Sequence, residues 1–130
     1  MKKKINFIAN HGSYPFQVMV SIGESVDDLE KQLIKHNIPE DEVAPQIEHL
    51  RKNYTNQGRT IMFSGNQTVL WIRNWPKAPL DYAVLSHEIF HSVDFMMYKV
   101  GLKLNRGSDE AYAYQIQYLT EQIYSRIIKK

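Results

Sequence analysis

The sequence predicts an α+β fold: a small, mostly antiparallel sheet packed on a long helix that carries the chemistry. Three observations predict it. The first half holds short β-branched and aromatic runs punctuated by turn residues. The second half holds two long stretches of helical apolar periodicity, residues 80–100 and 109–128. A hairpin signal stands directly before the first of these helices. At 130 residues, with no internal repeat and no linker, the chain reads as one domain over residues 1–130.

Residues 5–9 and 16–22 read as strands around a Gly/Ser/Pro turn at 12–15. In the second strand Phe16, Val18, Val20 and Ile22 share one face, the pattern of a half-buried strand. Ser25 followed by Asp27 and Asp28 marks a helix start, because the hydroxyl can accept an orphan N–H and the acids suit the positive helix end. Leu29 and Leu33, with Val26 beside them, give that helix its apolar stripe. Pro39 and the acids 40–42 open a second helix to about Lys52, with Val43, Ile47 and Leu50 at helical spacing. Segments 59–64 and 68–73 flank Gly65-Asn66 as a hairpin. Pro76 and Pro79 end it and lead into the helix 80–100, for which Gly101 is a natural stop. Ser108 caps a last helix whose Tyr112, Ile116, Leu119, Ile123 and Ile127 form a core stripe.

Composition narrows the function. Sixteen Lys and Arg against fourteen Asp and Glu give a net charge of +2, too weak and dispersed for a nucleic-acid partner. The lysines at 2–4 and 129–130 read as solvated terminal charge. No apolar run approaches a membrane span or a secretory core, so a cytoplasmic protein with no membrane partner is expected. Cysteine is absent, which removes disulfides, thiolate zinc sites and Cys nucleophiles together. Any metal must be held by His, Asp and Glu.

The informative segment is His87-Glu88-Ile89-Phe90-His91, an H-E-x-x-H pattern inside a helical stretch. Spacing i, i+4 puts both imidazoles on one face, where they can share one ion. Glu88 is turned about 100° from His87, so it stands beside the ion and suits a base acting on its water. Tyr82, Leu85, Ile89, Val93, Met96 and Val100 make one apolar face, and Ser86, Phe90 and Met97 widen it. That leaves His87, His91, Asp94 and Tyr98 as a polar strip on a helix expected to be largely buried, and buried imidazoles need partners. A zinc ion partners both. Catalytic zinc takes three protein ligands and keeps one position for water. The metzincin continuation is excluded, because it needs Gly at 94 and His at 97 where the chain has Asp94 and Met97. Asp94 lies about 10 Å along the helix from His87 and reads as a polar supporting residue rather than a ligand. His11, His36 and His49 have no spacing partner and read as surface or loop residues.

With the segment Ser108-Asp109-Glu110-Ala111-Tyr112-Ala113-Tyr114 downstream, the chain resembles the gluzincin branch of the zincin metallopeptidases. The stretch 87–118 also resembles small phage-associated zincin-like proteins. The resemblance implies that Glu110, of the Glu-Ala pair nineteen residues after His91, is the third zinc ligand beside His87 and His91. Asp109 is the reserve, since it lies more nearly in line with Tyr112 and Ile116. In thermolysin-type members an Asp four residues after the ligand glutamate orients a histidine; here Tyr114 stands there, so that role falls to Asp94 or is absent. Tyr98, Tyr112 and Tyr114 are candidates for stabilising the transition state. Zincins also pair an extended peptide with the sheet edge beside the active-site helix, and strand 68–73 is the candidate edge.

The function implied is a zinc-dependent metallopeptidase acting on a peptide or protein substrate. Zn²⁺ is its cofactor, and Glu88 is the general base towards a zinc-bound water. The alternative is a catalytically silent zinc protein, such as a phage component or a modulator in the host cytoplasm, in which the same motif staples the fold. The size also leaves room for a protein partner that completes the cleft.

Overall fold

A computed structural model describes residues 3–12 and 14–128. The lysines at 2, 129 and 130, and Ser13 of the first turn, lie outside the described residues. The fold is α+β, with four helices and a four-stranded mixed sheet among the described residues. In chain order the elements are β1 (Ile5–His11), β2 (Tyr14–Ile22), α1 (Val26–Lys35), α2 (Glu40–Lys52), β3 (Gly58–Met62), β4 (Gln67–Ile72), α3 (Pro79–Lys99) and α4 (Asp109–Ile127). None of the described helices is long and apolar enough to cross a membrane.

The sheet order is β1-β2-β4-β3. Both hairpins are antiparallel, while β2 and β4 run parallel, with Val18 opposite Thr68 and Ile22 opposite Ile72. A parallel pair needs a long crossover. Here α1 and α2 supply it and cover one face of the sheet, and α3 and α4 cover the other. The chain is therefore three layers with two cores. Val18, Val20, Ile22, Leu70 and Ile72 pack towards Leu85, Ile89, Val93 and Met96 of α3 and Leu119 and Ile123 of α4. Met19, Ile61, Phe63, Val69 and Trp71 pack towards Leu29, Leu33, Val43, Ile47 and Leu50.

This arrangement corrects two expectations. Strand β2 is not half-buried: it is internal, and Val18 to Ile22 are buried on both faces. The hairpin strand expected at the sheet edge, 68–73, is also internal, because β4 pairs with β2 on one side and β3 on the other. The edge beside α3 is β3.

Local chemistry fixes the helix carrying the motif. Asp81 accepts the N–H groups of Lys77 and Ala78 at 2.9 Å each, closing the N-terminus behind Pro79. Those bonds, the Ala78 one foremost, hold the Asp81 carboxyl below its ordinary pKa. At the other end Gly101 takes φ +84°, its N–H bonds the Tyr98 carbonyl, and the Leu102 N–H bonds the Met97 carbonyl. That left-handed C-terminal closure favours glycine. Ser25 caps α1 as expected, accepting the Asp28 N–H at 3.1 Å. Ser108 precedes α4 but makes no such bond; its hydroxyl donates to the Lys103 carbonyl and tightens the preceding loop.

Candidate metal centre and active site

The motif lies in the middle of α3, which packs against β3 and β4. His87 and His91 are one turn apart, and their Nε2 atoms stand 3.1 Å from each other. The rings meet edge to face, with centroids 4.7 Å apart. Two imidazoles on one tetrahedral zinc, at Zn–N of about 2.0–2.1 Å, hold their nitrogens about 3.3–3.4 Å apart. The pair therefore fits two ligands of one zinc ion. The same contact also serves as a hydrogen bond when one Nε2 carries a proton.

Burial falls differently from the sequence expectation. The His87 side chain is 67% exposed, whereas that of Glu88 is only 8% exposed. The buried face of α3 comprises Leu85, Glu88, Ile89, Ser92, Val93, Met96 and Met97, while Ser86, Phe90 and Val100 are exposed. His87 is therefore not a buried imidazole in need of an ion. The physical reason is the position of the sheet: it lies over the side of α3 that carries Glu88 and Ser92, about 100° round from His87.

Glu88 thus faces β3. Its Oε1 accepts the Thr60 hydroxyl at 2.7 Å, and its Oε2 stands 4.0 Å from His87 Nε2. The carboxylate is hydrogen-bonded to the strand and lies near His87. Gly58 makes this approach possible. A Cβ there would lie 3.0 Å from Ile72 Cδ1 and 3.1 Å from both Glu88 Cγ and Val84 Cγ1. Sequence reading missed both Gly58 and Thr60. The available signal was alternation: 58, 60 and 62 share the face of β3 that meets α3.

The remaining predicted residues divide. Asp94 is half-buried, and Tyr112 is buried in the core between α4 and α3. Their contact is long: the Tyr112 hydroxyl lies 3.5 Å from Asp94 Oδ1 and 3.4 Å from the Leu102 carbonyl. Burial, reinforced by the Asp94 carboxylate, raises the Tyr112 phenol pKa. Tyr98 and Tyr114 are exposed. Glu110 and Asp109 are exposed in the first turn of α4, where the Glu110 N–H donates to Asp109 Oδ1 at 2.8 Å. Helix α3 runs on to Lys99, and Glu110 is turned about 200° round α4 from Tyr112, the residue that meets α3. Among the described residues no three His, Asp or Glu side chains form a group able to hold a metal ion. The structure thus brings His87, His91 and Glu88 together, and it does not gather Glu110 or Asp109 with them.

The other histidines also divide. His36 Nδ1 contacts the Gln32 carbonyl at 2.9 Å at the end of α1, and His49 is half-buried on α2. His11 is 1% exposed, against the expectation of a surface residue. It closes β1 against α4, and burial lowers its pKa despite the Gln115 side chain, which acts in the opposite sense.

No family model, no curated protein and no solved structure matches the chain.

Proposed function

We propose that the chain is a zinc-dependent metallopeptidase of the gluzincin type. The observation that carries the reading is the constellation on α3: two Nε2 atoms 3.1 Å apart, with a shielded carboxylate oxygen 4.0 Å from one of them, next to the edge strand of the sheet. His87 and His91 would hold the metal through Nε2; the motif resemblance supplies Glu110 as third ligand, a residue this structure leaves exposed in the first turn of α4 and apart from the pair. Zinc, when bound, acidifies water towards neutral pH and polarises a carbonyl.

The rest of the chemistry belongs to the chain. Glu88 Oε2, the carboxylate oxygen towards the histidine pair, takes the proton of the attacking water and delivers it to the leaving amine. Strand β3 positions the peptide. Phe63 N–H bonds the Gln67 carbonyl and Arg73 N–H bonds the Gln57 carbonyl. Pairing in an antiparallel ladder alternates, so the main-chain groups of Gly58, Thr60 and Met62 point away from β4. An extended peptide can add to that edge by main-chain hydrogen bonds. A zinc ion that only staples a fold needs no carboxylate beside it, so Glu88 favours the peptidase over the silent zinc protein.

Metal analysis of the purified protein tests the reading. One zinc per chain is expected, lost in His87→Ala and weakened in Glu110→Ala. Zinc retained in Glu110→Ala but lost in Asp109→Ala makes Asp109 the ligand. Failure of the wild type to bind zinc overturns the proposal.

A further inference from the structure

The hydrogen bond between β3 and the motif helix carries an inference beyond the reaction class. A glutamate side chain has three rotatable bonds, and on an exposed helix face its carboxylate samples many positions. Here one oxygen is tied. Thr60 Oγ1 lies 2.7 Å from Glu88 Oε1 and 3.1 Å from the Glu88 main-chain carbonyl, and its single proton is best placed for the nearer, charged oxygen. With Oε1 engaged, Oε2 is the oxygen left towards His87, at 4.0 Å. Gly58 eases the approach of the strand, because a Cβ added there would crowd Glu88 Cγ at 3.1 Å.

Thr60 is also one of the three residues of β3 whose main-chain groups point to the free edge. Its side chain grips Glu88 while its backbone faces the place where a peptide would pair. We propose that Thr60 is the positioning residue for Glu88: its hydroxyl selects the carboxylate oxygen presented to the histidine pair and ties the position of the base to the peptide-pairing edge. Threonine suits both tasks. It is a favoured strand residue, and its β-branching restricts the hydroxyl to few rotamers.

The consequence for turnover rests on the peptidase reading; the positioning itself rests only on the hydrogen bond. The test separates the two. Thr60→Val keeps shape and removes the hydroxyl, Thr60→Ser restores the hydroxyl, and Thr60→Ala serves if the valine variant is poorly folded. Crystal structures of the metal-free proteins report the Glu88 carboxylate directly. The expected result is a carboxylate swung away from its place beside His87 in Thr60→Val and returned to it in Thr60→Ser. Zinc content and melting temperature should stay close to wild type. In cleavage of a peptide mixture, kcat should fall about tenfold or more in Thr60→Val with KM little changed, and recover in Thr60→Ser, since loss of positioning costs turnover rather than binding. A Glu88 carboxylate that stays in place in Thr60→Val overturns the proposal. A displaced carboxylate with no cleavage by wild type keeps Thr60 as the positioning residue and removes the peptidase reading instead.

Discussion

Below about pH 6.5 the buried His11 imposes a cost on the folded state. Burial lowers its pKa from the ordinary 6.5, and the Gln115 side chain beside it acts only partly in the opposite sense. The folded state therefore binds the proton less tightly than the unfolded one. As pH falls from 6.5 towards the lowered folded value, the unfolded chain protonates first and stability drops; above 6.5 this loss vanishes. Melting temperature should decline between pH 7 and 5 in the wild type and decline less in His11→Asn. Equal slopes would show that another group sets the acid sensitivity. His11 also marks a limit of reading residues singly. Nothing at Asn10-His11-Gly12 announces burial, because the α4 helix that covers it lies over a hundred residues downstream. The i, i+4 histidines were legible because their relation is internal to one helix. The direction of Glu88 was not, because the sheet decides which side of α3 is covered.

Two contacts show how elements set the site. Strand β3 reaches α3 through Gly58, and an added methyl must push against Ile72, Val84 and Glu88. Gly58→Ala should cost about 1 kcal/mol or more from overpacking and displace Glu88. Denaturant unfolding measures the first effect; no loss would mean that β3 shifts freely. At the far end, Lys99 Nζ donates to the carbonyls of Phe63 and Gly65, tying the end of α3 to the β3–β4 turn. Lys99→Met should destabilise by about 1 kcal/mol and raise hydrogen exchange in that turn before the rest of the sheet. Every helix and strand was legible from periodicity, caps and turn residues. The identity of the edge strand was not. A hairpin signal gives the pairing of β3 with β4, but the parallel pairing of β4 with β2 arises only once α1 and α2 form the crossover.

At the scale of the molecule, two apolar cores flank one sheet, and neither includes His87 or His91. The fold should therefore survive without metal. A chelator should leave the far-ultraviolet circular dichroism unchanged and lower the melting temperature by several degrees. Ligand binding stabilises by mass action, about 4 kcal/mol at a thousandfold excess over Kd. Unfolding on chelation would make zinc a structural staple. A base role for Glu88 beside a zinc on α3 makes Glu88→Gln the decisive variant, since it keeps shape and removes the proton acceptor. The measurement is mass-spectrometric cleavage of a broad, unstructured peptide mixture by zinc-loaded wild type and variant at matched zinc content. Cleavage by wild type and a loss of about 10²-fold or more in Glu88→Gln are expected, the range in which general-base catalysis contributes. Cleavage at equal rates by the two proteins would contradict the base role.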